Sequence, residues 1–268
     1  MALRISRQDS LVGENFLSSL STSEEKTVCL NVRDDKYLAT YQGNASKYHA
    51  YRDSEISTYI AAAEALAEMG YTVFRMGAIV KEPLISKHPR VIDYATNGMR
   101  TEFLDVYLGA KCKFCVSTGT GWDSIPQIFR RPSMYVNLLP ILALSCIVRD
   151  LIIYPKILKD EISQENLNLF DIFDSELGKL GVLDDYSMSG VAFRDLSSDE
   201  LVEAVTEMAQ RVEGTFVETP EQKEMQAKLK RILSTHPQLQ PSPNYYPIRA
   251  QFASSFLSRY PNFLDGLE

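Results

Sequence analysis

The sequence predicts an α/β protein, a Rossmann-like parallel sheet followed by a mainly helical region. Two observations carry this. Between Lys26 and Asn137, short apolar runs rich in β-forming residues alternate with segments of helical spacing. That alternation implies parallel strands joined by right-handed crossovers. Beyond Asn137 the periodic segments are helical. The expected parts are an N-terminal extension over 1–25, a Rossmann-like domain over 26–140, and a mainly helical region over 141–268 packed on it.

The elements follow in order. Residues 1–26 are polar, with one weak amphipathic stretch, ENFLSSL. KTVCLNVR reads as a buried strand, and DDKYLATYQGNASKYHAYR as a long loop. DSEISTYIAAAEALAEMG reads as a helix. Asp53 serves as its N-cap, Ile56, Tyr59, Ile60, Ala63, Leu66 and Ala67 form one apolar face, and Gly70 stops it. YTVFRMG is the second strand and RVIDY the third, after a Pro-containing loop. TEFLDVYLGAK is a helix, CKFCVS a strand, GWDSIPQIFRR a helical segment and SMYVN a strand. LSSDELVEAVTEMAQRVEG opens like a capping box, Ser197 with Glu200. EQKEMQAKLKRILSTH and RAQFASSFLSRYPNFL read as two more helices.

Composition narrows the function classes. Hydrophobic residues make up 45% and charged residues 24%, as in soluble globular proteins. A net charge of -7 argues against nucleic-acid binding, which rewards clustered Lys and Arg. MALRISRQDS lacks the apolar core of a signal peptide, and LLPILALSCIV is too short to span a bilayer. The expected setting is cytoplasmic, with attachment to a membrane surface or to a partner subunit left open. Cys112 and Cys115, read as positions i and i+3 of a strand, face opposite ways. With no second CxxC and no nearby His they predict buried thiols and no metal site.

In open parallel sheets, ligands bind beyond the carboxyl ends of the strands. The residues there are Arg33, Asp34 and Asp35; Arg75, Met76 and Gly77; Asp93 and Tyr94; Ser117, Thr118, Gly119, Thr120 and Gly121; and Asn137. Two arginines and a glycine-rich turn entering a helix suit a diphosphate. Each residue also has a plainer role. STGTG is neither GxGxxG nor a P-loop and can be a tight turn. Arg33 and Asp34 can be a local ion pair, Arg75 a helix cap and Asp93 an N-cap. His49 and His88 can be solvated loop residues.

Taken in order, NVRDDKYL, YRDSEISTYIAAAEALAEMGYTVFRMG, VIDYA and EFLDVYLGAKCKFCVSTGTGWDSIPQIFRRPSMYVN resemble the signature of a group of bacterial glycosyltransferases. LSSDELVEAVTEM resembles that group as well. More distantly, the arginine after the first strand and the Ser/Thr turn resemble the donor half of fucosyltransferase-like enzymes.

The resemblance implies a GT-B-type glycosyltransferase whose Rossmann-like domain, 26–140, binds a nucleotide-sugar without a metal or other cofactor. It implies that Arg33 contacts the donor diphosphate with help from Arg75. Ser117, Thr118, Gly119, Thr120 and Gly121 would hold phosphate or ribose. Asp93 and Tyr94 would lie near the base or ribose, with Asn137 at the same rim. Asp34 and Asp53 would position or deprotonate the acceptor, a glycan, lipid or protein. A GT-B enzyme has two Rossmann-like domains, and only one is legible here. The acceptor half is then reduced, replaced by the helical region, or supplied elsewhere. Two alternatives stay open: a non-catalytic nucleotide-sugar- or protein-binding module of a larger assembly, and a dinucleotide-binding oxidoreductase. The missing GxGxxG counts against the second.

Overall fold

The structure is a computed structural model and describes residues 3–42, 50–140, 151–174, 190–235 and 251–266. In chain order the elements begin with α1 (Arg7–Ser19), β1 (Thr27–Asn31) and α2 (Lys36–Gln42). A 3-10 turn (Ile56–Tyr59) then leads into α3 (Ile60–Glu68). There follow β2 (Thr72–Arg75), β3 (Val91–Ile92), α4 (Glu102–Lys111), β4 (Phe114–Ser117), α5 (Ser124–Ile128) and β5 (Ser133–Leu138). The rest comprises β6 (Leu151–Pro155), β7 (Ile157–Asp160), α6 (Leu169–Asp174), β8 (Val191–Arg194), α7 (Ser198–Glu213), α8 (Pro220–Thr235), β9 (Gln251–Phe252) and α9 (Ser254–Arg259).

Seven strands form one sheet in the order β3-β2-β1-β4-β5-β6-β9, and every described pairing in it is parallel. The first six follow the Rossmann order. The sheet does not stop at 140. β6 and β9 extend it, and β7 pairs with β8 as a separate two-stranded antiparallel sheet, so the C-terminal region is part of the sheet rather than helices laid on it. Within RAQFASSFLSRYPNFL, Gln251–Phe252 is strand and only Ser254–Arg259 is α-helix. The long loop after β1 contains a helix, α2.

The pleat divides the core. Val28 and Leu30 of β1, Val73 of β2, and Phe114 and Val116 of β4 pack with α3 and α7 on one face. Cys29, Phe74 and Cys115 point the other way, against Leu17 of α1 and Leu104, Tyr107 and Leu108 of α4. α1 is therefore core rather than an appended extension. It lies so close to α4 that a Cβ on Gly13 would fall 2.1 Å from the Tyr107 ring.

Cys112 caps α4 instead of lying in β4, so the strand-face argument does not apply to it. Cys29, Cys112 and Cys115 share one core cluster as free thiols. Burial pushes the Cys29 and Cys115 thiols well up. Cys146 and His49 lie outside the described residues. No helix among the described residues is long and apolar enough to cross a membrane.

Candidate functional site

The chain winds outward from β1 to β3, then jumps back to place β4 on the other side of β1. Loops after β1 and β4 consequently leave in opposite directions and open a crevice between them. A cavity of about 400 Å³ sits there. Its walls are Asn31 at the end of β1 and Val32–Asp34 after it, Gly77–Val80 after β2, Thr120–Trp122 after β4, Tyr37 and Leu38 of α2, and Asp105 of α4. Trp122 is held by its indole N–H, which donates to the Asp105 carbonyl at 3.2 Å.

A second cleft of about 410 Å³ adjoins the first and shares Val32 and Asp34 with it. Asp35, Asp53, Glu55, Glu82 and Asp195 line it, with Lys81 and Lys156 as cations. Lys156 is buried; its Nζ donates to Asp195 Oδ1 at 2.6 Å and to the Asp53 carbonyl at 2.9 Å.

The STGTG turn is built around Asp123. Asn31 and Ser117 are register partners on β1 and β4. Asn31 Nδ2 donates to Asp123 Oδ1 at 3.2 Å and Ser117 Oγ donates to it at 2.7 Å. The Thr120 N–H donates to Asp123 Oδ2 at 2.6 Å and closes a capping box. Burial raises the Asp123 carboxyl, against these hydrogen bonds.

The Thr118 N–H goes to the Asn31 carbonyl and the Gly119 N–H to Ser117 Oγ. Three N–H groups of the turn thus already serve acceptors of the chain itself, contrary to the expectation that they cradle phosphate. Gly119, at φ +87°, supplies the left-handed turn. Gly121 is exposed at the cavity mouth.

Arg33 does stand at the crevice. Its Nε donates to Asp53 Oδ1 at 2.9 Å, and its backbone N–H donates to Thr118 Oγ1 at 2.8 Å. Asp53 is therefore an ion-pair partner and does not cap a helix; Glu55 takes the N-cap position of the following turn. Burial raises the Asp53 carboxyl, and Arg33 opposes that. Asp34 spans two loops, accepting the Lys36 N–H on Oδ1 and the Lys81 N–H on Oδ2, both at 2.9 Å.

Four expected ligand residues turn inward instead. Arg75 is fully buried, with Nη1 donating to Asp93 Oδ1 at 3.3 Å and Nη2 3.9 Å from Asp34 Oδ2. Asp93 also takes the Leu84 N–H and the Thr96 hydroxyl. Tyr94 is core: its hydroxyl bonds Thr101, and its ring meets Phe74 edge to face. Asn137, at φ +52°, is buried. It donates to Tyr59 Oη at 2.8 Å and Ser54 Oγ at 3.2 Å, and accepts the Leu196 N–H at 2.7 Å. It ties β5 to the entrances of α3 and α7.

His88 lies away from the crevice. Its Nε2 is 3.5 Å from Glu68, in the last turn of α3, which leads into the amino end of β2.

The sequence reading missed Tyr37, Trp122, Asp123, Lys156 and Arg52. Only Asp123 had a local signal, the Thr-x-x-Asp capping pattern from Thr120. No group of three His, Cys, Asp or Glu among the described residues is arranged to hold a metal ion.

No described protein family and no curated protein matches the chain. Among solved structures, the ADP-heptose LPS heptosyltransferase II of E. coli matches with a TM-score of 0.43 and 14% identity. The match covers 79% of this chain and 54% of that one, so the chain spans about half the length of that enzyme.

Proposed function

We propose that the chain is a nucleotide-sugar-dependent glycosyltransferase working without a metal. The crevice at the reversal of strand order carries this reading. It combines an arginine just beyond β1 with two aromatic side chains, Tyr37 and Trp122, in a space suited to a nucleotide. The likeness of the VRD, YRD and RMG segments to bacterial glycosyltransferases supports the same assignment.

In this reading the base lies toward Tyr37 and Trp122, and the diphosphate toward Arg33. Arginine stabilises the charge that develops on the leaving nucleoside diphosphate, the task a metal performs elsewhere. The acceptor enters through the adjoining acidic cleft. Asp53 is the base, because burial raises its carboxyl and it opens onto that cleft. Asp34 positions the loops between the two clefts.

The test is a thermal-shift screen of UDP-, GDP-, ADP- and CMP-sugars, followed by an assay for the released nucleotide, a nucleoside diphosphate from the first three and CMP from the last. A donor that binds the native state raises the melting temperature by mass action. One donor class should do so and be turned over once an acceptor is supplied. If none of the four shifts the transition, the reading fails. A shift with NAD(P) alone favours the oxidoreductase.

A second reading, a non-catalytic nucleotide-sugar-binding module, is favoured by one observation. The described residues form one seven-stranded parallel sheet and one antiparallel strand pair, whereas a GT-B enzyme has two Rossmann-like domains. Donor binding with no turnover on any acceptor would select it.

A further inference from the structure

Arg52 was given no role by its sequence, yet it meets the same turn as Arg33. Its Nη2 donates to the Gly119 carbonyl at 2.5 Å. Arg33 reaches the neighbouring Thr118 through its backbone N–H and clasps Asp53, the residue after Arg52, through Nε. Arg33 Nη2 is buried and has no hydrogen-bond partner among the described residues. A guanidinium has five donors, so a single carboxylate contact leaves Arg33 far from saturated. Burial, then repulsion from Arg33, lowers the pKa of Arg52. Two guanidinium groups and one carboxylate therefore meet at a single turn beside the crevice, with a donor of Arg33 to spare. A diphosphate, with several acceptor oxygens and more than one negative charge, satisfies both cations at once.

We propose that Arg33 and Arg52 form a two-guanidinium clamp for the donor diphosphate, and that Asp53 occupies Arg33 as an internal stand-in until that anion arrives. The identity of the anion rests on the nucleotide-sugar reading; the clamp itself does not. Diphosphate oxygens compete with Asp53 for Arg33 and displace it. Asp53 is then half-buried without its cation and takes up a proton more readily. In the transfer step, the acceptor hydroxyl gives its proton to Asp53 and its oxygen bonds the anomeric carbon. The bond from that carbon to the diphosphate oxygen breaks, and the electron pair leaves with the nucleoside diphosphate, held by both arginines. Donor binding thus arms the base.

Isothermal titration of the full chain with inorganic pyrophosphate tests this. Arg52→Ala should weaken binding by about tenfold or more, the worth of a charge-assisted hydrogen bond. Arg52→Lys should fall between, since lysine keeps the charge without the fork. Asp53→Asn removes the internal competitor and should tighten binding by roughly two- to fivefold, the worth of a partly exposed ion pair. Unchanged affinity in Arg52→Ala, or unchanged or weaker affinity in Asp53→Asn, overturns the clamp. Asp53→Asn carries the test if Arg52→Ala does not fold. Pyrophosphate behaviour as expected, with no nucleotide-sugar bound, keeps the clamp and rejects the donor. Nucleotide-sugar binding that ignores Arg52→Ala does the reverse.

Discussion

Replacing Arg75 by Met separates a structural ion from a ligand-binding one. The side chain is fully buried and holds Asp93 at 3.3 Å and Asp34 at 3.9 Å, both carboxylates being less than 15% exposed. Met keeps most of the volume, so the cost comes from two carboxylates left without their cation. Breaking a buried pair by removing one partner costs about 3–5 kcal/mol. For a chain of this size each kcal/mol lowers the melting temperature by roughly 2–4 °C, so a drop of about 6–20 °C is expected. Circular dichroism melting gives that number, and nucleotide-sugar titration at 15 °C gives affinity per folded molecule. Asp93→Asn in the Arg75→Met background removes one stranded charge and should recover part of the loss, a non-additivity expected of groups in contact. A melting temperature within about 2 °C of the parent, with donor affinity lost, would refute the structural role and return Arg75 to the ligand.

Three further outcomes are expected. Burial alone would raise Glu200, but hydrogen bonds from Arg194, Tyr260 and the Ser197 N–H hold it down to about 2. A depressed carboxyl stabilises the fold above its ordinary value of 4.5 and loses that contribution as pH falls toward 2. Urea unfolding of Arg194→Met should therefore show a deficit at pH 7 that closes over this window; a pH-independent deficit would contradict it. Tyr37→Ala and Trp122→Ala should each weaken nucleotide-sugar binding by about 1–3 kcal/mol, roughly 5- to 150-fold. Tyr37, half-exposed, should cost almost no stability in the same melts. Asn137→Gly should be less harmful than Asn137→Ala by about 1 kcal/mol in urea unfolding, because only glycine accepts φ +52° freely. Equal cost in the two variants would place it wholly in the lost hydrogen bonds and refute the backbone argument.

The sheet was legible because its strands are short, apolar and separated by helical segments, and burial on both faces produces that pattern. β9 was not legible. Gln251–Phe252 is two residues long and runs straight into α9, so helical spacing from Phe252 onward masked it. α2 was hidden for a different reason. Its residues, KYLATYQ, pack little apolar surface, with Tyr37 and Tyr41 exposed, so no periodic face marks it. The role of Cys112 turned on where α4 ends, and element boundaries are the weakest part of any reading by pattern.

Of the residues expected at the strand ends, Arg33, Asp34, Gly77, Thr120 and Gly121 line the crevice, but residue type could not say which charges face outward. Arg33 and Arg75 illustrate why. Arg33 lies two residues beyond the last residue of β1, Asn31, where the chain has left the sheet and its side chain can reach the crevice. Arg75 is itself the last residue of β2, in register with Leu30 on the neighbouring strand, and the pleat sends it into the protein. A guanidinium there must bring its own anions, and Asp93 and Asp34 supply them from two other loops. The loops after β1, β2 and β3 are thereby fastened to one buried cation. Asp34, which also accepts N–H groups from Lys36 and Lys81, forms the wall shared by the two clefts. The buried arginine thus braces, through Asp34, the wall that the two cavities share. Arg33 stands three positions beyond Leu30, the register partner of Arg75, and that offset, set by hydrogen-bond register rather than local sequence, decides which arginine reaches the crevice and which is buried.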